Sequence, residues 1–188
     1  MPTMYAVRPA RYNVSRCGQC KAGTQLMSQD KLDMEFGYTS INSGTSDDYY
    51  TPPWVFEALN LQFDLDVCAP AGGVPWIPAK RSLSIIDDGL NTEWQGRVWM
   101  NPPYSNPLPW VRKFVKHNDG VAFVPTSSGK WMLELWQSGC MWVAAPVVRF
   151  YTSDFVLAKG MMPLRCWLVA AGDVAIQALK HSKLGKVR

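Results

Sequence analysis

The chain has 188 residues and a formal net charge of +4, and its 47% hydrophobic content is enough to bury one core of domain size. No apolar run approaches the length of a membrane span, so we expect no membrane partner. Five widely spaced cysteines and no signal peptide argue against a disulfide framework and predict a reducing cytoplasm.

The positive charge is concentrated at the two ends. Residues 1–21 carry four basic residues and no acid, and residues 176–188 carry four more, again with no acid. Such ends favour a polyanion partner, because each phosphate contact releases counterions. Tails that only keep the chain soluble would show the same pattern.

Residues 1–46 are rich in Gly, Ser, Thr and Asn and show little periodicity, which predicts a flexible or accessory extension. Within it, Cys17 and Cys20 form an isolated Cys-x-x-Cys pair. Zinc needs four ligands and no second pair lies nearby, so we expect no metal site. We place the folded domain at 47–181 and a basic tail at 182–188.

The domain is predicted to begin with a helix and a strand. Thr51 is the predicted N-cap of a helix over WVFEAL, with prolines tolerated in its first turn. Alternation over 62–67 predicts a strand, and Ala-Pro-Ala-Gly-Gly at 69–73 predicts a tight loop after it. Residues 74–95 show no regular pattern and are expected to be irregular.

Further along, strands first alternate with helices and then follow one another closely. The predicted elements are a strand at 97–100, a helix at 107–117, a strand at 120–125, a helix at 128–137, strands at 140–143, 147–151 and 165–170, and a helix at 173–181. This order predicts an α/β fold, a three-layer sandwich whose mostly parallel sheet ends in an antiparallel hairpin.

The helix at 107–117 has a predicted buried stripe that includes Trp110 and Phe114. On its other side, Arg112, Lys113 and Lys116 form either a solvated face or a set of phosphate contacts.

Two loops follow strands whose carboxyl ends would border the ligand crevice of such a sheet. The first follows Asp66 and Val67. A carboxylate there can hold an ammonium or hydroxyls, and glycine lets backbone approach a ligand closely. A plain structural turn would also explain this loop. The second loop is Asn-Pro-Pro-Tyr at 101–104, directly after the apolar strand VWM.

The Asn-Pro-Pro-Tyr loop suits a planar amine on a flat ring. Pro103 pushes Pro102 toward an extended conformation, so the Pro102 carbonyl and the Asn101 side-chain oxygen can both accept hydrogens from one amine. The Tyr104 ring can stack on the heterocycle, which is worth ~1–3 kcal/mol per base. Two acceptors make the amine more nucleophilic toward a methyl sulfonium. The alternative is a proline-rich strand exit with Tyr104 as packing.

These motifs, in this order, resemble the phage-type, Dam-like DNA N6-adenine methyltransferases. The likeness covers roughly residues 48–171 and rests on DDYYTPPWVFEALN, FDLDVCAPAGG, DDGLNTEWQGRVWMNPPYSN, WVRKFV, VVRFY and LRCWLVA. It implies a Rossmann-like methyltransferase fold and S-adenosylmethionine as methyl donor. The glycines after Asp66 depart from the family pattern, and the first 46 residues lie outside the likeness.

Carried over by position, the resemblance implies a role for each matched residue. Asn101, Pro102, Pro103 and Tyr104 would be catalytic, and Thr51, Pro52, Asp66, Ala69 and Asp88 would contact the donor, with Asp87 close behind. Lys130 and Trp131 would meet the DNA backbone or stack beside a flipped base. For the two aspartates the alternative is a solvated acidic turn, and for Trp131 it is a place in the core.

The leading hypothesis is methyl transfer from S-adenosylmethionine to the N6 amine of a flipped adenine in double-stranded DNA. The resemblance also implies a phage or prophage origin, a location in the host cytoplasm, and a role in protecting DNA from restriction. Two alternatives stay open. One is a methyltransferase acting on a protein glutamine or an RNA adenine, and the other is a non-catalytic DNA-binding module.

Overall fold

The structure of the protein is a computed structural model that describes residues 49–145, 148–159 and 165–185. The predicted extension at 1–46, with Cys17 and Cys20, lies outside the described residues. None of the helices in the described ranges has the length and apolar character needed to cross a membrane. Our boundaries for the extension, domain and tail stay predictions.

The described part of the chain forms six strands, four α-helices and one 3-10 turn. The strands are β1 (Phe63–Asp66), β2 (Ala79–Ser82), β3 (Val98–Met100), β4 (Gly120–Pro125), β5 (Met141–Ala144) and β6 (Cys166–Ala171). The helices are α1 (Pro53–Leu59), α2 (Leu108–His117), α3 (Lys130–Trp136) and α4 (Asp173–His181), and the 3-10 turn is Ile85–Asp87.

The strands form one sheet in the order β2-β1-β3-β4-β6-β5. Strands β2, β1, β3 and β4 are parallel, whereas β6 runs antiparallel to both β4 and β5. The predicted α/β class, the mostly parallel sheet and the antiparallel pair near the C-terminus are therefore confirmed. Since parallel strands end at the same edge, the loops after β1, β3 and β4 lie side by side.

Helices cover both faces of this sheet, as a three-layer sandwich requires. Successive strand residues alternate between two core clusters: Trp99 packs on the side of α1 and α4, while Val98 and Met100 pack on the side of α2 and α3. The Trp99 ring lies 4.7 Å from the Phe56 ring and 5.6 Å from the Phe63 ring. Such aromatic pairs add ~0.5–1.5 kcal/mol each beyond their buried area.

Helix α2 follows its predicted pattern in part. Val111 and Phe114 are fully buried, and Arg112 is exposed. Trp110, expected in the buried stripe, is only half-buried. The helix ends at Asn118, whose φ of 58° is the left-handed conformation that asparagine tolerates.

Three local predictions are wrong. Residues 79–82 form an edge strand rather than irregular chain, and its exposed Lys80 and Arg81 hid the alternation that marks a half-buried strand. Residues 148–151 form no strand, because only Tyr151 pairs, through isolated bridges. Thr51 is not the N-cap of α1. Pro52 takes that place without a side-chain cap, and the Thr51 side chain is buried instead.

Candidate active site

The two predicted loops meet at the carboxyl edge of the sheet. Asp66, the last residue of β1, is in register with Trp99 of β3, and Asn101 lies two residues after Trp99, directly after the end of β3. At about 3.3 Å per residue, Asn101 therefore lies within roughly 10 Å of Asp66 along the strand direction. The fold thus places the carboxylate and the Asn-Pro-Pro-Tyr loop in one neighbourhood.

The Asn101 amide is held at one end and unpartnered at the other. Its Nδ2 donates a hydrogen bond of 2.9 Å to the Tyr49 carbonyl. Its Oδ1 is buried and has no hydrogen-bond partner among the described residues. A buried acceptor without a partner costs about 1–3 kcal/mol. That cost would be recovered by a ligand that brings an N–H to this oxygen.

The rest of the Asn-Pro-Pro-Tyr loop is packed into the protein. Pro102 is buried, and the Pro103 carbonyl accepts from the Asn106 N–H over 3.3 Å, closing a turn. The Tyr104 hydroxyl lies 3.9 Å from Sγ of Cys166, the first residue of β6. Burial raises the pKa of Tyr104 well above its usual value, so the phenol stays neutral. Tyr104 therefore offers an uncharged aromatic ring.

Asp66 is a buried carboxyl group with little support. It is 2% exposed, and its Oδ1 accepts a hydrogen bond of 3.2 Å from the Cys68 N–H. Burial raises its pKa to about 7, while the Cys68 hydrogen bond opposes that shift. No salt bridge within the described residues involves Asp66. A ligand cation beside it would favour the ionised form.

Thr51 and Pro52 lie close to Asn101, because Tyr49, which holds the Asn101 amide, precedes Thr51 by two residues. The Thr51 side chain is 1% exposed, and its hydroxyl has no partner in the described part of the chain. The Thr51 backbone carbonyl accepts a hydrogen bond of 2.8 Å from the Trp76 indole N–H. The segment therefore carries a second buried polar atom without a partner.

The loop after Asp66 is a tight turn. The Gly73 N–H donates to the Pro70 carbonyl over 3.0 Å, and the buried Ala69 donates to the Leu83 carbonyl over 2.9 Å. Gly72, with φ of +85°, adopts a conformation that favours glycine, and a side chain added there would meet no atom within 4 Å. The turn thus leaves open space on one side.

Asp88 is exposed, and its carboxylate accepts from the Asn91 side-chain amide over 2.7 Å. The Asp87 carboxylate caps the 3-10 turn through Ser84. These bonds lower the pKa of each carboxyl group. Gly89 packs so closely on the residue after β1 that an added Cβ would lie 2.4 Å from the Val67 carbonyl oxygen. The acidic turn therefore borders the loop after Asp66.

Lys113 has a role that the sequence did not reveal. Its Nζ donates to the carbonyls of Gly89 (2.9 Å), Leu90 (2.8 Å) and Thr92, and it lies 4.6 Å from the Trp94 ring centroid. The proposed phosphate contact is therefore wrong for Lys113, and so is the solvated face. No local signal predicts these contacts, because they join residues more than 20 positions apart.

The other predicted DNA contacts differ in exposure. Arg112 forms two hydrogen bonds to the Glu134 carboxylate, of 2.7 and 2.8 Å. The Lys130 side chain is exposed and lies 3.8 Å from the same carboxylate. Trp131 is 8% exposed and packs in the core beside Leu135, which favours the core alternative over base stacking.

The part of the chain that carries this site is similar in sequence to known proteins. Residues 39–150 match the family model "DNA N-6-adenine-methyltransferase (Dam)", a span that contains every candidate site residue above. A DNA N-6-adenine-methyltransferase of Haemophilus phage HP1 (strain HP1c1) is 38% identical over 106 residues, covering 50% of this chain and 60% of the relative. The chain therefore spans less than two thirds of that relative's length. No solved structure matches the chain significantly.

Proposed function

The chain belongs to the DNA N-6-adenine-methyltransferase (Dam) family, and we propose that it transfers a methyl group from S-adenosylmethionine to the N6 amine of adenine in double-stranded DNA. The observation that carries the proposal is the Asn101 amide, whose oxygen is a buried acceptor without a partner at the carboxyl end of β3. An exocyclic amine supplies the N–H that this oxygen lacks.

In the proposed reaction, the Asn101 Oδ1 and the Pro102 carbonyl each accept one hydrogen of the adenine amine. Drawing on these hydrogens localises the nitrogen lone pair and stabilises the positive charge that develops on the nitrogen. A preorganised contact of this kind is worth ~2.7–4 kcal/mol, or about 10²–10³ in rate. The neutral Tyr104 ring would stack on the flat base. A base in a duplex must first be flipped out, at a cost of a few kcal/mol.

The residues around Asp66 fit the methyl donor. The Thr51 hydroxyl has no partner, the Asp66 carboxyl accepts a hydrogen bond from the Cys68 N–H, and space is open beside Gly72. Thr51 and Pro52 would flank the methionine part, where an ionised Asp66 neutralises an ammonium. Ala69 and Asp88 would border the adenosine part. When bound, S-adenosylmethionine supplies an electrophilic methyl group on a sulfonium.

The sheet supports a Rossmann-like methyltransferase fold, which is part of the proposal. Parallel strands β1, β3 and β4 end beside the candidate site, as in open α/β sheets that bind ligands at the carboxyl edge.

The name of the phage relative supports a phage or prophage origin, and with it a role for the methyl mark in shielding DNA inside the host cytoplasm. The proposed DNA contact is the exposed Lys130. The buried Trp131 is not proposed as a DNA contact.

Tritiated S-adenosylmethionine tests the proposal with unmethylated DNA, RNA and peptide substrates. We expect label in DNA as N6-methyladenine. Asn101→Ala should lower the turnover number about 10²–10³-fold while leaving donor affinity within about twofold. The matched control is Asn106→Ala, an exposed asparagine of the same loop whose backbone N–H donates to the Pro103 carbonyl.

Each alternative has its own outcome in this experiment. Label in RNA or in a peptide glutamine, with none in DNA, would move the proposal to that substrate. Absence of donor binding in calorimetry would indicate a non-catalytic module. Methylation of DNA by Asn101→Ala at the wild-type rate would show that the catalytic assignment is wrong.

A further inference from the structure

Residues 49–51 offer three consecutive backbone carbonyls, and each accepts a hydrogen bond from a different part of the chain. The first accepts from the Asn101 side-chain amide over 2.9 Å, and the second accepts from the Tyr151 N–H over 2.9 Å. The third accepts from the Trp76 indole N–H over 2.8 Å. Trp76 follows the turn at 69–73, so its bond ties this segment to the loop after the first strand.

Trp76 is carried by a short turn that is anchored to the core. A backbone hydrogen bond of 3.1 Å closes residues 74–77, and the next residue, Pro78, accepts from the Phe63 N–H of β1 over 2.8 Å. The Trp76 ring lies 4.7 Å from the Tyr151 ring. These contacts fix the backbone that carries Trp76 and restrict rotation of its indole.

Burial does not explain the Trp76 hydrogen bond. The residue is half-buried, so burial alone does not require a protein acceptor for its indole N–H. Within the described residues, the more deeply buried indole of Trp142 has no hydrogen-bond partner. The effect of the Trp76 bond therefore has to be sought in the group that accepts it.

The acceptor belongs to a peptide unit with one polar group. The Thr51 carbonyl is part of the peptide bond to Pro52, and proline has no N–H. A hydrogen bond can therefore hold this planar unit only through the carbonyl, which accepts from Trp76. Thr51 is β-branched, so rotation about its χ1 is restricted. A fixed backbone at this residue thus sets the direction of the Thr51 hydroxyl.

The Thr51 hydroxyl is available to a ligand. The Thr51 side chain is 1% exposed, and its oxygen has no hydrogen-bond partner among the described residues. A hydroxyl both donates and accepts, so it can pair with either charged group of an amino acid. A group that is already fixed before binding loses less conformational freedom when the ligand arrives.

We propose that Trp76 is a positioning residue for the methyl donor. Its indole N–H holds the Thr51 carbonyl, and this bond aims the Thr51 hydroxyl at the amino-acid end of S-adenosylmethionine. The inference rests on the proposed function and adds to it a residue that does not itself touch the donor. Because Trp76 acts through Thr51, it controls how tightly the donor binds and leaves the acceptors for the adenine amine in place.

The test measures S-adenosylmethionine binding to Trp76→Phe by calorimetry, since phenylalanine keeps an aromatic ring and removes the N–H. We expect the donor dissociation constant to rise about 3- to 10-fold, the effect of one hydrogen bond. The turnover number on DNA at saturating donor should stay within about twofold of the wild type. Trp142→Phe is the matched control, because it removes an indole N–H that has no partner in the described part of the chain. Its donor affinity should stay within about twofold of the wild type.

A double-mutant cycle with Thr51→Val separates positioning from a merely structural role. Valine keeps the β-branched shape and removes the hydroxyl. Thr51→Val alone should raise the donor dissociation constant about 3- to 10-fold. Adding Trp76→Phe to it should change the constant by less than about twofold more, because the hydroxyl that Trp76 aims is already gone.

Several results would overturn the inference. Unchanged donor affinity in Trp76→Phe would show that the bond has no effect on the donor. Unchanged affinity in Thr51→Val, or losses that add in the double variant, would show that Trp76 does not act through the hydroxyl. A turnover number that falls together with affinity in Trp76→Phe would show that the whole site has loosened.

Failure of the proposed function gives a different pattern, which the wild-type protein reveals. A wild type that binds no S-adenosylmethionine overturns the proposed function and this inference with it. A wild type that binds the donor and labels no DNA overturns only the proposed substrate. The calorimetric cycle then still decides whether Trp76 acts through Thr51.

Discussion

The side-chain amide of Asn101 donates to the backbone carbonyl of Tyr49 across 2.9 Å, and this bond decides which end of the amide faces a ligand. With Nδ2 engaged, the oxygen is left as a buried acceptor without a partner. An asparagine free to rotate would present donor and acceptor in turn. The bond to Tyr49 thus leaves an acceptor at this position, which suits the proposed ligand, an amine that donates hydrogens.

Asn101→Asp should disable the site although it keeps an acceptor oxygen. The new carboxylate has no N–H to donate to the Tyr49 carbonyl, so a carboxylate oxygen and a carbonyl oxygen, both acceptors, face each other. We expect methylation to fall at least about 10²-fold and the free energy of unfolding to fall by about 1–3 kcal/mol. Single-turnover kinetics and urea denaturation measure the two effects. A wild-type rate would show that the Tyr49 bond is not needed for the catalytic role proposed for Asn101.

Asp66 should make stability depend on pH. Its pKa is raised to about 7 in the folded protein, against about 3.9 for an unfolded aspartate. Its contribution to stability is therefore fully present below about pH 4 and is lost as pH rises through about 7. The full shift corresponds to about 4 kcal/mol. Urea denaturation at pH 5 and pH 8 should show most of this loss in the wild type, about 3 kcal/mol, and Asp66→Asn should not share it.

The same carboxyl group should make donor binding depend on pH in the opposite sense. If an ammonium of the donor pairs with ionised Asp66, binding requires loss of a proton that the free protein holds below about pH 7. Donor affinity should rise about tenfold between pH 6 and pH 8. Calorimetry in buffers of different ionisation enthalpy would show proton release at pH 6. Affinity independent of pH would place the donor's cation elsewhere.

Lys113→Met should weaken donor binding without affecting methyl transfer itself. The change leaves the carbonyls of Gly89, Leu90 and Thr92 without their shared donor and loosens the turn that carries Asp88. We expect the donor dissociation constant to rise about tenfold, with the turnover number at saturating donor within about twofold. Lys116→Met, an exposed lysine of the same helix, is the control. Unchanged donor affinity in Lys113→Met would separate this turn from the donor site.

Lys130→Met should reduce the salt dependence of DNA binding. A lysine that contacts one phosphate contributes about one unit to the slope of log affinity against log salt concentration. Lys80 lies on the edge strand β2 and pairs with Asp64 of β1, and Lys80→Met is the control. Fluorescence anisotropy between low and moderate salt measures both slopes. Equal slopes for Lys130→Met and the wild type would remove Lys130 from the DNA interface.

The sequence predicted best those elements whose burial shows as an apolar pattern among neighbouring residues. The block GVAFVP of β4 is buried throughout, and α4 spans its predicted residues, 173–181. Strand β2 escaped prediction, because an edge strand with exposed Lys80 and Arg81 lacks an apolar pattern. It forms only because β1 offers it hydrogen bonds from one side.

The local order of residues determined the α/β class and put Asn-Pro-Pro-Tyr at the end of a buried strand, since alternation, turn residues and prolines act within a few positions. The tertiary structure alone decided that Tyr49 orients Asn101 from 52 residues away and that Lys113 holds the acidic turn. It also decided that burial shifts the pKa of Asp66. Hydrogen bonds and desolvation depend on distance in space, which a folded chain sets only when remote segments pack together.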